Sequence, residues 1–112
     1  MKNLVFTIRN NYKDIGKIYY GVNKNVGYIT NIRVNKKYRK KGIGTELLKH
    51  TENNLKNFYN IDTVKLVSWN SLYDNNNVNI FLEKNGYIKN DNTTFYDDYL
   101  NIYEITPLEK KL

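Results

Sequence analysis

Apolar and polar positions change period along this chain, and the changes mark out its elements. Leu4, Phe6 and Ile8 alternate with Val5, Thr7 and Arg9, and Ile18, Tyr20 and Val22 alternate with Lys17, Tyr19 and Gly21. A period of two sends successive side chains to opposite faces, so both stretches are predicted strands with one face buried. Asn23-Lys24-Asn25 supplies a turn, since asparagine tolerates the left-handed region, and Tyr28 to Val34 reads as a third strand. The chain is thus expected to open with three antiparallel strands.

From Ile43 the spacing lengthens to Leu47, Leu48, Thr51, Leu55 and Phe58, the stripe of a helix that buries one side. Asn60-Ile61-Asp62 ends it. The β-branched and aromatic run TVKLVSW, residues 63–69, predicts a fourth strand. A helix separates it from the third strand, so the two are expected to run parallel. DNNNVNIFLEKNGY, residues 74–87, predicts a short second helix. Its N-cap is Asp74 or Asn75, its buried side Val78, Phe81 and Leu82, and Gly86 lies past its C-terminus. Tyr87–Lys89 and Tyr99–Ile105 read as the last two strands, joined by a polar loop with Asn90, Asp91, Asn92 and the pair Asp97-Asp98. The order implies a mixed α+β or α/β fold, a mixed sheet with two main helices packed on it.

A length of 112 residues suits one domain, and no linker or repeat divides residues 1–112. Hydrophobic residues at 40% are enough for a core, although 11 tyrosines bring hydroxyls that need partners. The absence of cysteine excludes disulfides, thiolate metal sites and a cysteine nucleophile, and no metal is expected. It also fits a reducing compartment such as the cytoplasm. The N-terminal apolar run is broken by Thr7 and Arg9, too short for a signal peptide or a membrane span, so a soluble chain is expected. A net charge of +7 invites a polyanion: nucleic acid, an acidic membrane surface or a phosphorylated small molecule.

The stretch NKKYRKKGIGTELL, residues 35–48, narrows that choice. Arg39-Lys40-Lys41-Gly42-Ile43-Gly44 falls between a strand and the start of a helix, where unpaired N–H groups and the helix dipole favour an anion. Glycine at 42 and 44 removes Cβ atoms that would hold a phosphate off the backbone. A Walker A loop needs a different spacing, and a dinucleotide fingerprint needs a third glycine where Leu47 stands.

With this context, ITNIRVNKKYRKKGIGTELL resembles the coenzyme A motif of the GNAT superfamily of acetyl-CoA-dependent N-acetyltransferases. Arg39, Gly42 and Gly44 fill its [RQ]-x-x-G-x-[GA] hallmark, and Ile32-Arg33-Val34 its strand end. Asn75, Val78, Phe81-Leu82 and Glu83 to Tyr87 match the later helix pattern of the same family. The resemblance covers roughly residues 16–105. It implies a splayed parallel strand pair with the pantetheine arm held by the backbone of Ile32, Arg33 and Val34. It implies a pyrophosphate held by the N–H groups of Arg39, Lys40, Lys41, Gly42, Ile43, Gly44 and Thr45. Trp69 and Asn70 would form the other wall, with Asn75 and Phe81 at the cofactor and Lys84 reaching its phosphates.

The implied reaction is direct attack of a primary amine on acetyl-CoA. Two departures bear on it. Leu82 occupies the position where many members keep an acid tyrosine, and Asn31 and Arg33 stand where some keep a glutamate base. Tyr73, Tyr87 and Tyr96 are the candidates for the acid, with Tyr99 also near the last strand. One alternative is a coenzyme A binder without turnover. Another is a basic nucleic-acid module using Lys36 to Lys41 with Tyr38, although no nucleic-acid motif appears. His50 lies off the helix stripe and is expected at the surface, and Asp97-Asp98 is a candidate attractor for a cationic amine. Little chain precedes the motif strand, so the acceptor cleft is expected to be open or completed by a second copy.

Overall fold

A computed structural model describes residues 2–71, 78–90, 93–99 and 101–112, with the side chains of Asn70, Ser71, Asp98 and Asn101 left aside. Its seven strands and two helices have the mixed α and β content expected. The chain forms two compact units, Met1–Val64 with Lys111–Leu112, and Lys65–Lys110.

In the first unit, β1 (Lys2–Asn10), β2 (Lys13–Asn23) and β3 (Val26–Val34) run antiparallel in that order, with α1 (Ile43–Asn57) on one face. The alternation dictates that face. Phe6 pairs with Ile18 and Ile18 with Ile32, and Leu47, Leu48, Thr51 and Leu55 of α1 are buried. Packing there is close. A Cβ on Gly16 would lie 2.7 Å from Ile43 Cγ2, so only glycine admits the start of the helix. The ladder slips between Tyr19 and Tyr20, which oppose Asn31 and Ile29 and leave Thr30 as the extra residue of a bulge in β3. A bulge bends a strand, and this one lies two residues before the Ile32-Arg33-Val34 end.

Phe58 departs from the expected stripe. It caps α1 at its C-terminus and is 72% exposed. Asn60 turns left-handed at φ 57, and Ile61 folds back with its N–H on the Leu55 carbonyl and takes the buried position instead.

The second unit holds most of β4 (Thr63–Ser71), then α2 (Val78–Lys84), β5 (Ile88–Lys89), β6 (Thr94–Asp98) and most of β7 (Asn101–Lys111). β7 is adjacent to β4 and pairs antiparallel with β5 and β6. Two boundaries differ from expectation. The polar loop after residue 90 contains β6, because Thr94, Phe95 and Tyr96 suit a pleated surface and pair with Ile105, Glu104 and Tyr103. The final strand starts at Asn101 and continues to Lys111. In α2 the buried residues are Asn79 and Leu82, while Val78 is exposed. The helix is rotated by one position because Asn79 finds a buried partner, Ser68, whose hydroxyl donates to its amide oxygen. The N-cap candidates Asp74 and Asn75 lie outside the described residues.

Candidate active site

The basic stretch folds into a sequence of tight local turns. Asn35 donates its N–H to the Ile15 carbonyl at 2.8 Å and opens a 3₁₀ turn over Lys36–Tyr38, with its side-chain oxygen accepting from the Lys37 N–H. Arg39 turns back, its Nε donating to the Val34 carbonyl at 3.1 Å, so its guanidinium ties the loop to the end of β3. Lys40 and Gly42 are left-handed, at φ 63 and φ 80. Lys41 lays its ammonium over the Tyr38 ring, 5.6 Å from the centroid. Such alternating turns curve N–H groups around an anion.

Gly42 is the N-cap of α1, and no side chain caps the helix. Its carbonyl accepts from the Glu46 N–H at 3.0 Å, leaving the N–H groups of Ile43, Gly44 and Thr45 without intrahelical acceptors. A Cβ built on Gly42 would meet none of the described residues within 4 Å. Glycine is therefore required here by conformation, while the space above it is open to a ligand. Open space, orphan donors and the positive end of a helix together suit a phosphate.

The second unit brings a different set together. Trp69, at the end of β4, meets the rings of Tyr96 and Tyr103 with centroids 5.8 Å away in each case. Trp69 is 54% and Tyr96 51% exposed, so the cluster is open to solvent. Tyr87 is 2% exposed and lies below the Lys110 ammonium, 5.6 Å from its ring centroid. Leu82 is 1% exposed, a core residue of α2. Phe81 is half-buried, and Lys84 is exposed as the last residue of α2. Tyr73 and Asn75, and the side chain of Asn70, lie outside the described residues. Asp97 is in β6 opposite Ile102 and is not a loop residue. His50 is exposed, and it stacks on Phe6 at 3.5 Å between centroids.

Two features went unanticipated. The bulge at Thr30 was detectable, because Ile29 and Ile32 cannot both face α1 in a regular strand. The buried group of Ser68, Asn79 and Thr106 was not, because asparagine and threonine give no apolar signal. The carboxyl of Asp14 is held below its usual range by its hydrogen bond from Arg9, against some desolvation and with help from Lys17. Burial pushes the Tyr20 hydroxyl up, against the hydrogen bond it accepts from Asn54 at 2.7 Å. Among the described residues no group of His, Cys, Asp and Glu could hold a metal, and no helix is long and apolar enough to cross a membrane.

A family model described as an acetyltransferase (GNAT) domain matches residues 2–89. Solved structures agree on the fold. An acetyltransferase from Bacillus cereus is 20% identical, with a TM-score of 0.78 over 99% of this chain and 74% of that one. The ribosomal-protein-S18-alanine N-acetyltransferase from Escherichia coli is 19% identical, with a TM-score of 0.79 over 98% of this chain and 69% of that one. A GNAT family acetyltransferase from Elizabethkingia anophelis, solved with acetyl-CoA bound, is 19% identical, with a TM-score of 0.75 over 99% and 77%. No curated protein matches the sequence. The fold is the mixed sheet with two helices common to these structures, and with the matched model spanning most of its length the chain belongs to the GNAT family of acetyltransferases.

Proposed function

We propose that this chain transfers an acetyl group from acetyl-CoA to a primary amine, by direct attack of the amine in a ternary complex. The observation that carries this reading is left-handed Gly42, open above and set before the uncapped first turn of α1. The N–H groups of residues 39–45 hold the pyrophosphate, and Lys40 and Lys41 add charge around it. The backbone of Ile32, Arg33 and Val34 holds the pantetheine arm beyond the Thr30 bulge. Residues 1–112 act as one acetyltransferase domain.

In the reaction the amine nitrogen attacks the thioester carbonyl carbon, the carbon–sulfur bond breaks, and the thiolate leaves and takes up a proton. A strand-end N–H polarises the carbonyl, and water accepts the proton of the attacking amine. Tyr96 is the favoured acid, because it is solvent-accessible beside Trp69, whereas Tyr87 is buried. A thiol pKa of about 8.5 makes the thiolate a tolerable leaving group even without help.

Thiol release from acetyl-CoA, followed over a panel of primary amines, tests the proposal. Amine-dependent release is expected, falling by about a hundredfold or more in Tyr96→Phe if that residue is the acid. Buried Leu82 at the customary tyrosine position favours a second reading, coenzyme A binding without turnover. That reading requires cofactor binding with no thiol released across the panel, and absence of cofactor binding would sink both.

A further inference from the structure

The sheet face of the first unit that α1 leaves uncovered carries an excess of positive charge. Gly16 faces Ile43 and Leu47 of α1, so Lys17, its neighbour in the strand, projects to the opposite face. Val34 pairs with Gly16, which turns Arg33 to that same opposite face. Lys17 stands directly across from Arg33 in the ladder, and Thr7 stands across from Lys17 on the other side. Residues so opposed have Cβ atoms about 5 Å apart, where like charges repel.

Among the described residues one carboxylate serves the cluster. Asp14 accepts from Arg9 at 2.8 Å and lies 3.4 Å from the Lys17 ammonium. Among the described residues no acidic group lies within ion-pair distance of Arg33, which is exposed. A like-charge pair at the middle of a sheet costs stability, and a bound anion would remove that cost. Arginine's planar fork can take a carboxylate by two parallel N–H···O bonds.

We infer that Lys17 and Arg33 receive the anionic end of the acceptor, so that the substrate is a primary amine also carrying a carboxylate and not a polyamine. The inference rests on the acetyl-transfer reading for its second half, since Arg33 lies between the two residues whose backbone would hold the pantetheine arm. The anion subsite itself rests on the charge geometry alone. Net charge agrees, because a chain of +7 repels a polycation and attracts an amino acid's carboxylate.

Three four-carbon amines that differ only at the far end decide the matter: 4-aminobutyrate, 4-aminobutanamide and 1,4-diaminobutane. Each is titrated calorimetrically into the whole chain at low salt, with and without coenzyme A. The acid is expected to bind about tenfold more tightly than the amide, as a charged hydrogen bond supplies, and the diamine most weakly. Lys17→Gln with Arg33→Gln should bring the acid down to the amide, and Arg33→Glu should reverse the order of acid and diamine, which loss of folding cannot mimic. An acid bound no better than the diamine, or an order that survives Arg33→Glu, overturns the inference. Charge-ordered binding without any affinity for coenzyme A would keep the subsite and remove the acetyl-transfer reading. Coenzyme A binding without charge order would remove only the subsite.

Discussion

Gly42 and Gly86 share a left-handed backbone, at φ 80 and φ 93, and end up with opposite surroundings. Gly86 closes α2. Its N–H donates to Glu83 at 3.1 Å, and the Tyr87 N–H reaches back to Leu82 at 3.0 Å, the two bonds of a Schellman turn. Lys110 seals it by donating to the Asn85 carbonyl at 2.9 Å. Gly42 opens α1 with no side-chain cap and, among the described residues, nothing within 4 Å of where a Cβ would stand. The same residue in the same region of backbone space consumes hydrogen-bonding groups in one unit and leaves them available in the other. Buried side chains follow the same division. In the second unit Ser68 and Asn79 bond to each other, whereas the Thr51 hydroxyl on α1 is buried with no hydrogen-bond partner among the described residues.

Replacing the two glycines breaks the comparison most sharply. A Cβ at Gly86 would lie 3.1 Å from Lys110 Cε, so Gly86→Ala adds crowding to left-handed strain and should cost about 2–3 kcal/mol in urea unfolding. Gly42→Ala has only the strain, about 1–2 kcal/mol. Equal losses at the two sites would mean that the space over Gly42 is not open. Thr51→Val asks whether the first unit leaves a polar group unsatisfied in its core. Removing the orphan hydroxyl at constant shape should stabilise by about 1 kcal/mol, read as a melting point several degrees higher. A loss of stability would show that the hydroxyl has a partner.

The smallest effect concerns Tyr20, the buried tyrosine of the same unit that does find a partner. Its folded pKa is raised by burial above the unfolded value of about 10. The neutral form is the one the fold favours, so its contribution is complete below pH 10 and is lost as pH rises through the folded value. Between pH 9 and 11 the wild-type unfolding midpoint should fall further than that of Tyr20→Phe. Parallel curves would remove Tyr20 from the account.

What was legible in the residues follows the same line between local and distant causes. The start of α1 and the end of α2 were readable because glycine, the helix period and flanking turns act within a few residues. Asn79 was not, since its burial depends on Ser68, which lies in β4 and not in the same helix. Strand β6 was hidden for a similar reason, as its pairing with β7 makes a strand from a stretch rich in polar residues. Phe58 failed in the other direction, since an apolar residue at helical spacing was displaced by Ile61 after the turn at Asn60. The turns before α1, where the phosphate is proposed to sit, were legible because glycine and the helix start act through the backbone. The difference between the tyrosine candidates was not, because no local pattern separates Tyr96 in the open from Tyr87 in the core.

The central claim is that the open loop before α1 holds the pyrophosphate of coenzyme A. Calorimetric titration of acetyl-CoA into the wild-type chain and Gly42→Glu tests it directly, with circular dichroism to verify that both are folded. The variant should bind at least about a hundredfold more weakly, as an added carboxylate meets the diphosphate and fills its space. Equal affinity in the two folded proteins would contradict the account.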